Sequence, residues 1–591
     1  MSCSKTDQER HNSEGQKLYK QVPKVLIITT GINNESTELP QGIIVAIQSF
    51  NKRGAIVQLE PRDILFDYAA LSQYNIVIAS TAEAYHDADR KYSLTYLSDV
   101  ELGNVRKYIA NGGVLISGDN FGRNETDGTD RVSLFKKLTA ENWIFSSCLG
   151  GSMTEKNMAN YSLSGNLEGY LDMEYHPKDS ADLWKLVMDS VISENVKPLA
   201  FWRHNGDSIP AIMQHKYEHG LSFHLAFSEQ LNPIADGGRW SLSQIDNFYG
   251  YVLDQFYRQN NFNVSLNPWP SGHQFAFCAT FNSSGELPQY KRVLKYLNAA
   301  NIAPTIFVDG RVSDTISRYL RKNNINLESN GFSYIDYSEL KYPVSLNDIL
   351  QNEYKWDKKF KGFRFPFTRL GYWGLMSLDL HDYSFESSIS ANNIDFVNGS
   401  VFPYNIVISN DRFYKSTNLL EIAPSYHDDY YFLKALKEDN NVNSNELNKM
   451  VVLYNDYLQS YWTLGVKEYN GLFVYLGHPG MVGYSDQTMM PLKNLIDSVK
   501  NENTWISTMD EIAKFRKEIA QYSYYVNKKG STNTITVSGP EGLVCENTSL
   551  LFVDKPKKVK ANHGESSVVV CGDKYAVVFD SFDGQIITIH Y

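Results

Sequence analysis

Five short stretches hold the residues whose types and spacing could do chemistry. They are Thr280-Phe281-Asn282-Ser283, the run from Glu328 to Asp336 with Phe332 midway, Arg364-Phe365-Pro366, Phe385-Glu386-Ser387-Ser388, and the run from Leu472 to Pro479 that contains His478. His478 closes an apolar run and precedes Pro-Gly, so a strand end would present its ring as a general acid. A satisfied structural histidine is the bland alternative. Arg364 can donate a bidentate hydrogen-bond pair to a substrate oxygen, or simply hold a strand end. Asp336, Glu328 and Glu386 supply carboxylates, and a suitably spaced pair of these can run glycoside chemistry. Asn282 cannot take a proton from water, Ser283 is a poor ligand for a transition metal, and Phe332 cannot bind one.

Taken in order, these stretches resemble the motifs of the polysaccharide-deacetylase (NodB-homology) family across residues 267–525. The resemblance implies that Asn282 stands where the family keeps its catalytic base. It puts Ser283, Phe332 and Asp336 where the family keeps an Asp and two His as metal ligands. Arg364 would then be the residue that orients the base, and His478 the general acid. A catalytic zinc needs three protein ligands and an open position. Asp336 alone is a good ligand, so metal-dependent deacetylation is expected to be lost. No cofactor is expected, zinc or another divalent ion entering only at a rebuilt site. Glu328, Phe332, Asp336 and Glu386 are then expected as substrate contacts.

Chain-wide patterns set the frame for these residues. Val25 to Gly31, Asn75 to Ser80 and Val114 to Ser117 read as buried parallel strands. Gly42 to Asn51 and Val100 to Asn111 read as the helices between them, and Gly112-Gly113 as a helix stop. Further strands are expected at Pro198 to Phe201, Ala211 to Gln214 and Ser222 to Phe227, and a closing helix from Ser241 to Gln259. This predicts a doubly wound sheet over residues 22–262. The piece Arg106 to Asp119 resembles the glutamine-amidotransferase-like flavodoxin folds. The corresponding strand leads into Gly118-Asp119-Asn120 with no cysteine, so amidotransferase chemistry is not expected, nor is Cys148 expected to be a nucleophile. Asp119 and Asn120 are at most polar contacts at a strand end.

Repeating strand–helix units over 267–521 predict a deformed (β/α) barrel. Short alternating runs over 522–591 predict a small β-sandwich, too small for an independent core and so packed on the barrel. Residues 1–21 read as a disordered tether. The fold class is therefore multidomain α/β: a doubly wound N-terminal sheet, a central deformed barrel and a C-terminal sandwich.

The net charge of -11, without a basic stripe, argues against nucleic acid. Aromatic residues reach 13%. That suits rings stacked on sugars, although Tyr and Phe also simply favour strands. No apolar run is long enough to span a membrane. The five cysteines include no CxxC pair. Only Cys545 and Cys571 could bridge, and free buried thiols are the alternative. Cys3-Ser4 ahead of a polar stretch fits a lipid-anchored tether after removal of a signal, with a disordered cytoplasmic start as the other reading. An extracytoplasmic lipoprotein that binds or processes poly- or oligosaccharide is the expectation. An active glycan hydrolase or de-N-acetylase with a rebuilt site, and a scaffold of a surface polysaccharide system, are the alternatives.

Overall fold

The computed structural model describes residues 21–32, 39–79, 94–118, 121–122, 151–157, 162–166, 172–175, 184–191, 196–225, 242–389, 391–392, 397–410, 413–424, 427–438 and 442–591. Asp119, Asn120, Cys3 and Cys148 lie outside them.

Strand Lys24–Ile28 is buried along its whole length. Its residues alternate between two cores: Val25 and Ile27 join one, Leu26 and Ile28 the other. That is the period-two geometry of a strand covered on both faces. Helix Asp99–Ala110 covers the second face through Leu102, Val105 and Ile109. Its start is fixed by a capping box between Ser98 and Glu101. The buried Glu101 also pairs with Arg62 at 2.6 Å.

Strands Ile56–Glu60, Lys24–Ile28, Ile76–Ala79, Val114–Ser117 and Gly220–Leu225 run parallel in that spatial order. The doubly wound expectation holds only for this half. Beyond Gly220–Leu225 the sheet continues antiparallel through Asp207–Tyr217 and Val196–His204. Tight hairpins force this reversal. His204 pairs with Asp207 across a two-residue Asn205-Gly206 turn, both residues having positive φ.

The central sheet orders its strands as Tyr404–Asn410, Phe413–Glu421, Phe385–Glu386, Gly362–Phe363, Asn326–Ser329, Thr305–Val308, Phe275–Asn282 and Leu472–Gly477. Thr504–Ile506 pairs with the start of Phe275–Asn282. All these ladders are parallel except the hairpin Tyr404–Asn410/Phe413–Glu421. The sheet curls as a half-barrel, and among the described residues no ladder joins its two outer strands. The edge at Tyr404–Asn410 is used differently: Ile32 N–H donates to Val407 O, and Ser409 N–H to Ile32 O. The Asn405 amide also accepts from Leu59 N–H and donates to Leu59 O. The two large sheets are thus stitched edge to edge.

Residues 523–590 form two four-stranded sheets, one of which takes in Ser265–Leu266 as an edge strand. Ser523–Lys529 and Lys558–Ala561 are strands of one of these sheets. Cys545 and Cys571 are both free and buried. They pair with Ser581 and Lys574, opposite ends of one strand. At ~3.3 Å per residue that separates them by roughly 20 Å, well beyond a disulfide. No helix among the described residues is long and apolar enough to cross a membrane.

Candidate functional site

Three buried strands, Phe275–Asn282, Thr305–Val308 and Leu472–Gly477, end at one cavity of about 870 Å³. The C-terminal ends of parallel strands are where such sheets present polar side chains. The first strand delivers Asn282 and Ser283, the second Asp309, and the third His478, all of which line the cavity.

Asp309 is buried and its carboxylate is fully used. One oxygen accepts from Arg311 N (2.7 Å) and Nε (3.2 Å), and the other from Arg311 Nη2 (3.0 Å) and Ser283 Oγ (2.9 Å). The Arg311 guanidinium lies 3.7 Å over the Tyr334 ring. Tyr334 packs edge-on against Phe367, with centroids 4.9 Å apart. Tyr334, Phe367 and Thr368 all hold left-handed backbone, at φ 53°, 59° and 54°. Such conformations are uncommon for bulky residues and cluster at functional sites.

His478 is held by a carboxylate that the sequence reading missed. Nδ1 lies 2.7 Å from Asp429 Oδ1, and the backbone N–H of His478 donates to Asp429 Oδ2, also at 2.7 Å. Asp429 is fully buried. A carboxylate on Nδ1 fixes the ring's orientation and its tautomer, which gives the acid–base role to Nε2. Asp428 Oδ2 lies 3.7 Å from the same Nδ1. Burial raises the Asp428 carboxyl, His478 opposes this, and Asp429 adds to it. The three donor atoms lie within 4.8 Å of one another. Two carboxylates and an imidazole are a donor set that suits a divalent ion.

The other sequence candidates fall into two groups. Arg364 and Glu386 lie beneath the floor. Arg364 is fully buried and donates through Nε to Ser387 O (2.8 Å), through Nη2 to Ser387 Oγ (2.8 Å) and through Nη1 to Asn282 Oδ1 (3.3 Å). Burial pulls its pKa down to about 10, against the pull of Glu386. Glu386 is buried beside Glu421, and burial raises both carboxyls.

Glu328, Phe332 and Asp336 are not among the lining residues. Glu328 is buried and accepts from Lys361 N–H and Gly362 N–H. Burial and then Asp510 raise its carboxyl. Phe332 packs against Gly310, and its N–H donates to Asp348. Asp336 is partly exposed and pairs with Arg369 at 2.7 Å. Of the positions read as substrate contacts, none lines the cavity. The residues missed instead are Asp309, Arg311, Tyr334, Phe367, Asp428, Asp429 and Tyr430. The run His427-Asp428-Asp429-Tyr430 was the one visible signal, a dense polar and aromatic cluster that proves to open the short helix Asp429–Leu433.

No protein-family model matches this chain, and no curated protein matches it. Among solved structures it is similar to one assigned as a polysaccharide deacetylase from Mycobacterium smegmatis, at 17% identity and a TM-score of 0.34, covering 42% of this chain and 92% of that one. It is similar to the PuuE allantoinase at 15% identity and a TM-score of 0.33, again covering 42% and 92%. A catalytic mutant of Gan42B, a GH42 β-galactosidase from G. stearothermophilus, gives 14% identity and a TM-score of 0.27, covering 42% of this chain and 31% of that one.

Proposed function

We propose that this chain binds a poly- or oligosaccharide in the strand-end cavity and no longer performs metal-dependent deacetylation at the motif positions. The observation that carries the reading is the combination of a polar floor with an aromatic rim. Asn282, Ser283 and His478 offer hydrogen-bonding groups from the floor, and Tyr334, Phe367 and Tyr430 stand at the rim. Sugars need both, since their hydroxyls require directed partners and their C–H faces pack on rings. The strained backbone at Tyr334 and Phe367 supports a site built for binding rather than for packing alone. At the motif positions, Asn282 cannot serve as a base, and Asp336 is engaged with Arg369.

A glycan array on the purified protein, followed by calorimetry on the hits, tests this. Phe367→Ala and His478→Ala should each weaken binding about ten- to hundredfold, the cost of roughly 1–3 kcal/mol for a lost contact in a desolvated pocket. Unchanged affinity in both folded variants would move the binding surface elsewhere.

One observation favours catalysis as a second reading. The Asp429–His478 pair at 2.7 Å is an oriented acid–base group at the cavity wall. A glycan turned over by the wild type but not by His478→Ala, which still binds it, would establish that reading. An extracytoplasmic placement through a lipid on Cys3 belongs to the same proposal, and labelling of the cellular protein with a tagged fatty acid tests it.

A further inference from the structure

Among the described residues that line the cavity, carboxylates outnumber cationic side chains. Glu286, Asp309 and Asp428 line it, against Arg311 as the one guanidinium among the described lining residues, with the Arg364 guanidinium beneath the floor on Asn282. Arg311 is spent on Asp309, through two side-chain hydrogen bonds to its two oxygens. Asp428 faces the His478 ring at 3.7 Å, but Asp429 already holds that ring at 2.7 Å. Two neighbouring carboxylates therefore share one imidazole. Burying carboxylates without a matching cation is costly. The rim adds a second attraction for positive charge. Phe367 is 56% exposed and Tyr430 41% exposed, and aromatic faces draw cations through their quadrupole. Tyr334 already shows this behaviour toward Arg311.

We infer that the glycan bound here carries free ammonium groups, one of which seats on Asp428 beside Tyr430. The inference rests on the glycan reading and sharpens it to a substrate class, an amino sugar with unacylated nitrogen. A neutral N-acylated sugar would fill the same space but leave the Asp428–Asp429 pair without its counter-charge. A divalent ion on Asp428, Asp429 and His478 is the competing way to supply that charge.

Calorimetry with a glucosamine oligosaccharide and its N-acetylated counterpart, at a pH where the amines are protonated, separates these. The amine form should bind at least about tenfold tighter, and its advantage should shrink as salt is raised. Asp428→Asn should erase the preference. Asn also caps helices, so the N-terminus that Asp428 now caps at Tyr431 is kept. Asp428→Glu should retain part of the preference. Equal binding of the two oligosaccharides, or a preference that survives in a folded Asp428→Asn, overturns the inference and leaves the glycan reading standing. A melting temperature raised by zinc or magnesium alone and lost in Asp428→Asn, without an amine preference, assigns the carboxylates to a metal and also overturns it. Failure of every glycan, charged or neutral, overturns the glycan reading itself.

Discussion

At the scale of single residues, the buried charges beneath the floor have a calculable consequence. Arg364 and the Glu386–Glu421 pair are all fully buried. Burial raises both carboxyls above the usual range. A carboxyl whose folded pKa lies above its unfolded value binds more protons in the native state. Its stabilising contribution is present at low pH and falls as pH rises from the ordinary carboxylate range through the raised folded value. Glu421→Gln removes one such group while keeping its shape. The wild type should therefore lose more stability than Glu421→Gln between pH 5 and pH 8, as read from urea midpoints. Parallel pH profiles would contradict the sign.

Asp429 offers a second test at this scale. It accepts two hydrogen bonds from His478, one from the ring and one from the backbone. Asp429→Ala should cost about 1–3 kcal/mol in denaturant unfolding, because a buried donor loses its acceptor. It should also weaken glycan binding, since the ring loses its orientation.

At the scale of elements, the rim depends on one close approach. A Cβ at Gly371 would sit 2.0 Å from Tyr337 O. The backbone would have to move, and Tyr337 ends the same loop that carries Tyr334. Gly371→Ala should destabilise the protein by about 1–3 kcal/mol and lower glycan affinity, although Gly371 is not a lining residue. Calorimetry that finds full affinity would uncouple this turn from the rim. Asp348 anchors the other side of the loop by accepting from Phe332 N–H, Ser333 N–H and Tyr337 Oη. None of this was legible in the sequence. A loop carries no hydrophobic period, and the value of Gly371 lies in a backbone 34 residues away in the chain.

At the scale of the molecule, the proposed units 22–262, 267–521 and 522–591 are joined by more than their linkers. Strand Ser265–Leu266 completes a sheet of the C-terminal sandwich. Arg516 is buried and donates to Asn51 Oδ1 at 2.6 Å and to Pro268 O at 3.3 Å. Burial pulls its pKa down to about 10. Deleting residues 522–591 should therefore give an aggregating or protease-sensitive chain rather than a soluble two-unit protein. A truncated form with the wild-type melting temperature would show the sandwich to be dispensable. Arg516→Ala should cost about 2–5 kcal/mol in denaturant unfolding, because it leaves a cavity where a large buried side chain stood and takes the donor from Asn51 Oδ1 and Pro268 O.

What the sequence determined by itself is the strand and helix inventory around the site. Phe275 to Phe281, Leu472 to Leu476 and Leu287 to Ala300 are each visible because burial imposes continuous or periodic apolar runs on the chain itself. The same runs delivered Asn282 and His478, since a polar residue that closes a buried strand stands out locally. Arg364 was visible through its motif, but its burial beneath the floor was not. Only the tertiary structure decided the rest. It opened the expected barrel into a half-barrel, because the outer strand pairs with Ile32 instead of closing the ring. It kept Cys545 and Cys571 apart by placing them at opposite ends of one strand. It left Glu328, Phe332 and Asp336 outside the cavity lining and brought Asp309, Arg311 and Asp429 to the strand ends. The physical reason is common to all of these. Local burial writes a period into the sequence, whereas the meeting of distant side chains depends on where separate elements come to rest, and no single stretch of chain records that.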